Sequence, residues 1–388
     1  MAIEDVCGLY LESIAPGGNA LGRIEGKTVF VEGGAPDEKV LCRVTEEHKT
    51  WARAELLEIT EPSPARIEAA CAFYGKCGGC NLQHINYDAQ LAAKTAILKD
   101  SFTRIGGFAN IEPEIFPSPP WEYRNRMQFH CFRQSAKGED GMKFGQKGRR
   151  SGEIIAVSDC PVAERAIREL LRSGGKTLPL PLEKDRFTVF SGGGIFLSEG
   201  GVQRGKINLL EKEIALDAGV FFQSNIVMLE KLILKLRETA AAADRNLPMA
   251  DLYCGVGTFA VFLEEMFSKT VLAEENKAAV SIARENLRGR DAEFFALRDT
   301  GWEKTVLRLK PAFGFAVADP PRAGLAAALA DALGRDGPPV LAYVSCDAAA
   351  LARDSAVLTK GGYKLKSLAL FDFYPQTAHI ETLAVFMK

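Results

Sequence analysis

The chain has 388 residues, 47% of them apolar and 25% charged, with a formal net charge of −2; these are values of an ordinary globular protein with room for two or three domains. No apolar run reaches bilayer length, and the opening Met-Ala-Ile-Glu-Asp lacks a basic stretch before an apolar core, so neither a membrane span nor a secretory leader is expected. Residues 121–150 carry eight bases (Arg124, Arg126, Arg133, Lys137, Lys143, Lys147, Arg149, Arg150) against three acids, whereas residues 1–60 carry six bases against eleven acids. A basic segment in a neutral chain suits either a polyanion docked on one face or a solvated loop.

Residues 1–60 alternate apolar and polar positions between glycine turns, as in Thr28–Val31 and Lys39–Val44, and predict a small β-barrel. Glu61-Pro62-Ser63-Pro64 reads as a linker. Cys71, Cys77 and Cys80 then lie within ten residues, and Asp159-Cys160-Pro161 offers a fourth thiol from afar. Three close cysteines plus a remote Cys-Pro fit a four-thiolate iron–sulfur site, and zinc would accept the same set. Nine cysteines, an odd number, argue for the reducing cytoplasm and for metal-binding or catalytic thiols.

A helix is predicted from about Tyr87 to Arg104, with Leu91, Thr95, Leu98 and Phe102 on one face. Residues 111–215 are rich in strands and turns. A further helix opens at the cap pair Ser224-Asn225, with Ile226, Leu229, Leu232, Ile233 and Leu236 inward. Strands and helices then alternate: strand 249–254, helix 258–267, strand 270–274, helix 277–288, strand 315–319, helix 324–333, strand 340–344 and helix 347–360. Two last strands span 365–371 and 381–386. Alternating β and α elements with a hairpin finish predict a doubly wound α/β sheet. The expected division is a barrel over 1–60, a β-rich central region over 61–215 and a Rossmann-like domain over 216–388.

In such a sheet ligands bind at the carboxyl ends of strands. Asp251-Leu-Tyr253-Cys-Gly255-Val-Gly257 joins a strand to a helix, but Ala260 breaks the dinucleotide pattern. The turn suits the close approach of an adenosyl ligand, whose carboxylate the helix amino end would favour. Glu274 closes the next strand and could accept both ribose hydroxyls, although Glu275 stands beside it; Asp299 is a candidate for the adenine side. These acids favour S-adenosylmethionine. Asp319-Pro-Pro-Arg322 holds a carboxylate on a stiff loop. An aromatic would be expected at Arg322 if the target were an exocyclic amine.

Cys346, in Val344-Ser-Cys346-Asp, closes another strand, and Glu381 opens the last one. C5 of a pyrimidine is a poor nucleophile until a thiolate adds at C6, and a base must afterwards remove the C5 proton. Cys346 and Glu381 supply those two groups.

Together with Phe221-Phe-Gln223-Ser-Asn225 and Pro375-Gln-Thr-Ala-His-Ile-Glu381-Thr, these motifs resemble the RNA 5-methyluridine methyltransferase family over nearly the whole chain. The resemblance implies a class I methyltransferase domain with Cys346 as nucleophile and Glu381 as the C5 base. It implies that Phe221 packs against the extruded uracil and that Gln223 and Asp319 bind uracil or orient the cofactor. Arg124 and Arg126, in Tyr123-Arg-Asn-Arg126, would approach the RNA. The amino-terminal barrel is similar to the family's TRAM domain, with Pro36-Asp37 where Pro-Gly is more common; Ala273 and Tyr374 are smaller departures. Members with this cysteine spacing carry a [4Fe–4S] cluster, so Cys71, Cys77, Cys80 and Cys160 are its expected ligands. The expected substrate is 23S ribosomal RNA, with the T-loop uridine of transfer RNA as alternative, and a monomer is expected. Two readings from other classes are an iron–sulfur redox or radical enzyme, which a fourth cysteine ligand argues against, and a non-catalytic RNA scaffold, which would not need both Cys346 and Glu381.

Overall fold

The computed structural model describes residues 2–136, 139–176, 184–309 and 312–388; Lys137 and the side chain of Arg133, both in the basic segment, lie outside the described residues. Among those residues the strands form a closed barrel, a five-stranded sheet, a hairpin and an eight-stranded sheet.

Strands β1 (Val6–Ile14), β2 (Ala20–Ile24), β3 (Lys27–Val31), β4 (Glu38–Glu47) and β5 (Trp51–Glu61) close the barrel in the order β1-β2-β3-β5-β4. Burial in β4 alternates from Glu38 to Val44, as a barrel wall requires. Val29, Val31, Val40, Cys42, Val44 and Ala52 fill the interior. Asp37 takes the left-handed φ of +65° that a glycine adopts freely, and its carboxylate accepts a 2.6 Å hydrogen bond from Tyr10 Oη.

Helix α1 (Tyr87–Ser101) is capped by Asn86, whose side chain accepts from Ala89 N. Its buried face is Gln90, Ala93, Lys94, Ile97, Leu98 and Ser101. The predicted stripe is therefore rotated: Leu91 and Thr95 are only half-buried. Hydrophobicity alone misplaces this face because its polar members are satisfied. Lys94 Nζ, wholly buried, donates to Asp372 Oδ1 at 2.5 Å and to the Tyr374 carbonyl at 3.0 Å. After a π turn at Phe102–Gly106, strand β6 (Glu114–Phe116) pairs in parallel with a strand near the carboxyl terminus. Three residues are too few for a periodic signal.

The five-stranded sheet comprises β7 (Arg126–Ala136), β8 (Glu139–Lys147), β9 (Ile154–Ile155), β10 (Arg186–Gly192) and β11 (Ile195–Ser198), with α2 (Arg165–Arg172) between β9 and β10. Phe129, Phe144 and Phe187 form its aromatic centre, with ring centroids 5.1–5.6 Å apart. A hairpin, β12 (Arg204–Leu209) and β13 (Lys212–Asp217), shares its core with the last domain.

That domain runs through α3 (Ile226–Ala240), β14 (Met249–Leu252), α4 (Thr258–Leu263), β15 (Thr270–Glu274), α5 (Lys277–Asn286), β16 (Ala292–Ala296), β17 (Phe315–Ala318), α6 (Ala327–Asp336), β18 (Val340–Ser345), α7 (Ala348–Lys360), β19 (Lys364–Phe371) and β20 (Glu381–Met387). The sheet order is β16-β15-β14-β17-β18-β20-β19-β6. β14 to β18 are parallel and β20 lies antiparallel to both neighbours. Strand order reverses between β14 and β17, and a crevice opens there at the carboxyl ends. Among the described residues no helix is long and apolar enough to cross a membrane.

Candidate active site

The cofactor end of the crevice starts where β14 stops. Tyr253, Gly255 and Gly257 all adopt positive φ, at +62°, +53° and +79°. A Cβ on Gly257 would lie 3.2 Å from Ala283 Cβ, so this glycine also lets α5 pack close. Asp251 sits beneath the turn, its Oδ2 accepting from Ala260 N at 3.0 Å and its Oδ1 without a partner. Burial pushes its carboxyl up to about 8. Neither Asp251 nor Gly257 lines the crevice; both shape the turn from behind.

Glu274 accepts from Gly255 N at 3.2 Å and from Asn276 N at 2.7 Å, so it is tied to the glycine turn itself. Glu275 also borders the space. Asp299 accepts a 2.8 Å bond from Tyr253 Oη, and Trp302 meets Tyr253 edge to face at 4.6 Å.

The other end is built from three loops. Ser345 on β18 pairs with Thr382 on β20, which places Cys346 and Glu381 at the same end of neighbouring strands. Asp319 follows β17 between them and the glycine turn. These groups, with Gly255, Glu274, Asp299, Gln223, Phe221 and Arg124, line one cleft of about 840 Å³. Phe221 is 56% exposed at its mouth, and the Arg126 guanidinium lies 5.7 Å from the ring centroid. Arg126 itself stands outside the cleft. Gln223 Nε2 donates a long 3.5 Å bond to Asp319 Oδ2.

Electrostatically the cleft favours uncharged acids. Burial, then the fields of Glu381 and Asp319, push the Cys346 thiol up to about 12, with Arg322 working against them. Glu381, 4% exposed, is raised well above the usual carboxylate range by burial and by Asp319. Asp319 is raised by burial to about 7. His379 lies 3.3 Å from Arg322 through Nδ1, and burial pulls its imidazole down to about 4.

The cysteine loop reaches the same cleft through Gly78 and Gly79. All nine cysteines are free thiols. Cys77, Cys80 and Cys160 are raised by burial, and each feels a neighbour's charge: Cys77 that of Cys71, Cys80 that of Cys77 and Cys71, Cys160 that of Cys80. Arg124 offsets these fields. The three loop thiols thus neighbour one another, with Cys160 beside Cys80. Among the described residues, however, no group of three or more His, Cys, Asp or Glu side chains is drawn tightly enough to hold a metal ion as it stands.

The Tyr123–Arg126 run divides its labour. Tyr123 Oη donates to the Pro375 carbonyl at 2.8 Å, and buried Asn125 donates to the Ser191 carbonyl and accepts from Ile226 N. Those two residues join the five-stranded sheet to the last domain, a role that the basic reading hid. Arg149 and Arg150 both pair with Glu32 of the barrel, so part of the basic excess holds two domains together. Tyr374, His379 and Trp302 also line the cleft, beyond the residues expected from sequence; of these, His379 has a local signal as the one histidine in the Glu381 motif.

Comparison with known proteins agrees with this architecture. Residues 11–57 match the TRAM domain, as expected for the barrel, and residues 303–388 match the tRNA (Uracil-5-)-methyltransferase family model. An uncharacterized RNA methyltransferase of Treponema denticola is 33% identical, with 94% of each chain covered. A 23S rRNA (uracil(1939)-C(5))-methyltransferase of Pseudomonas entomophila is 30% identical over 97% of this chain and 93% of the relative. The crystal structure of Pyrococcus abyssi tRNA (uracil-54, C5)-methyltransferase in complex with S-adenosyl-L-homocysteine shares the fold at a TM-score of 0.73, with 24% identity and coverage of 98% and 100%. The chain belongs to the RNA (uracil-5-)methyltransferase family.

Proposed function

We propose that this protein methylates C5 of a uridine in structured RNA, with 23S ribosomal RNA as the favoured substrate and Cys346 and Glu381 as the catalytic pair. The observation that carries the reading is the meeting of a strand-end thiol and a buried strand-start carboxyl in the cleft that holds Glu274 and Asp299. S-adenosylmethionine, when bound, supplies an electrophilic methyl group. Gly255, Glu274 and Asp299 would receive it, and Gln223 with Asp319 would orient the uracil, which must leave its stack to reach Cys346.

Cys346 first gives up its thiol proton to solvent; the thiolate sulfur then bonds to C6 of the uracil, and the displaced C5–C6 electron pair makes C5 nucleophilic. After C5 is methylated, Glu381 accepts the C5 proton and the C6–S bond breaks, returning the thiolate. Burial serves this last proton transfer because a carboxylate with raised basicity is the better acceptor. Arg322 is the cation that opposes the surrounding acids when the thiol ionises. The relatives that act on 23S rRNA are at 30% identity across nearly the full chain, which favours that substrate over transfer RNA.

The neighbouring Cys71, Cys77 and Cys80, with Cys160 beside Cys80, fit a [4Fe–4S] cluster held by four thiolates, and iron and acid-labile sulfide in anaerobically purified protein check it. For the reaction, Glu381→Gln protein is incubated with S-adenosylmethionine and an unmodified 23S rRNA transcript carrying radiolabelled uridine, then digested with nuclease. Label retained on the protein, and lost again in Cys346→Ala, is the expected result; its absence would remove Glu381 from the role of base.

A further inference from the structure

Glu381 opens β20 directly after the segment that joins β19 to β20, and the centre of that segment is an unusual residue. Gln376 is 3% exposed and holds a left-handed φ of +68°, a conformation that a long side chain adopts only when its surroundings enforce it. The enforcement is visible. Gln376 N donates to Gln90 Oε1 at 2.8 Å, and Gln90 Nε2 donates back to Gln376 Oε1 at 3.0 Å. The Gln376 carbonyl accepts from Asn81 N at 3.1 Å and Leu82 N at 3.0 Å.

Asn81 extends the clasp in two directions. Its Oδ1 accepts from Ala378 N at 2.9 Å, three residues before Glu381, and its Nδ2 donates to the Gly17 carbonyl of the barrel at 2.7 Å. A Cβ on Gly18 would lie 2.4 Å from that Nδ2, so the barrel turn is shaped to admit this amide. Asn81 directly follows Cys80. One side chain, carried by the cysteine loop, therefore touches both the barrel and the segment that leads to Glu381. Cys346 hangs from β18, on a different element.

We propose that Asn81 and Gln376 are positioning residues for the methylation reaction: they fix Glu381 over the uracil, and Asn81 passes to that segment the placement of the cysteine loop and the barrel. The proposal rests on Glu381 being the C5 base. It predicts a defect confined to proton removal, because nothing in the clasp holds Cys346.

The test uses full-length protein and two transcripts of 23S rRNA, one natural and one substituted with 5-fluorouridine. The fluorinated ring has no C5 proton to lose, so its trapping reports addition and methyl transfer alone. Asn81→Ala should release methylated natural RNA roughly 10- to 100-fold more slowly in a single turnover, the loss expected of a displaced catalytic group. It should accumulate a covalent adduct with natural RNA while trapping fluorinated RNA at the wild-type rate. Asn81→Asp, which keeps the acceptor for Ala378 N, should recover most of the turnover yet raise the KM for RNA through the lost Gly17 contact. Gln90→Leu should repeat the Asn81→Ala pattern from the opposite side of Gln376. Equal slowing of turnover and trapping in Asn81→Ala, or no slowing of either, would overturn the proposal. Glu381→Gln run in parallel separates the two claims. If it accumulates adduct and Asn81→Ala does not, positioning alone fails; if it also yields none, the base assignment fails.

Discussion

Two carboxyl groups flank one eight-residue segment, and they have opposite surroundings. Asp372, before it, meets the ammonium of Lys94 at 2.5 Å and the hydroxyl of Tyr87 at 2.8 Å. Glu381, after it, faces Asp319, another acid, with Arg322 as the opposing cation. Both are buried. The paired acid belongs to the frame, because a satisfied buried ion pair has little left to offer a substrate. The acid confronted by an acid is raised in basicity, which suits a group proposed to accept a proton. Burial alone therefore does not mark a reactive group in this protein; the partner does.

Substitutions on the reactive side should have the largest consequences for activity. Cys346→Ala should bring methylation to background, and Glu381→Gln should slow turnover by roughly 10²–10⁴-fold, as expected for a lost general base, with folding intact in both. Rapid-quench assays with thermal melting as control measure these effects. On the frame side the order reverses: Lys94→Met should destabilise the fold by about 3–5 kcal/mol because it strands a buried carboxylate. The double variant Lys94→Met/Asp372→Leu should recover much of that loss in urea melts. If the single variant is as stable as the parent, the paired acid is not part of the frame.

A smaller effect concerns pH. Asp251 and Asp319 are raised by burial to about 8 and about 7. Between ordinary carboxylate values and those pH values the folded protein holds protons that the unfolded chain has released, so stability falls as pH rises. The melting temperature of the ligand-free protein should therefore decline from pH 5 to pH 8, and Asp251→Asn should flatten the decline. Smallest of all is the contact between domains. Glu32→Ala releases Arg149 and Arg150 from a partly exposed pair and should change stability by about 1 kcal/mol at most.

The elements that the sequence revealed were those whose pattern repeats. β15 was placed residue for residue, and β17, β18, β19 and β20 to within one residue at either end, because buried strands are continuous apolar runs. The barrel was equally legible through its alternation. The inward face of α1 was not, because Gln90 and Lys94 are polar and each has a partner 278–286 residues away. For the same reason Asn81 and Gln376 carried no local signal. Asn125 was hidden by its basic neighbours, which drew attention to charge when the buried amide between them ties two domains together. Motifs showed which groups could react; the contacts that hold them needed three dimensions.

Bonding of Cys346 sulfur to the target uracil is the step on which the proposed mechanism rests. Its most direct test is tandem mass spectrometry of the nuclease-digested complex formed with 5-fluorouridine-substituted 23S rRNA and S-adenosylmethionine. A peptide containing Cys346, joined through sulfur to a nucleotide carrying both fluorine and the new methyl group, is the predicted result. An enzyme that methylates natural RNA yet yields only an unmodified Cys346 peptide from the fluorinated complex, or an adduct on another residue, would contradict it.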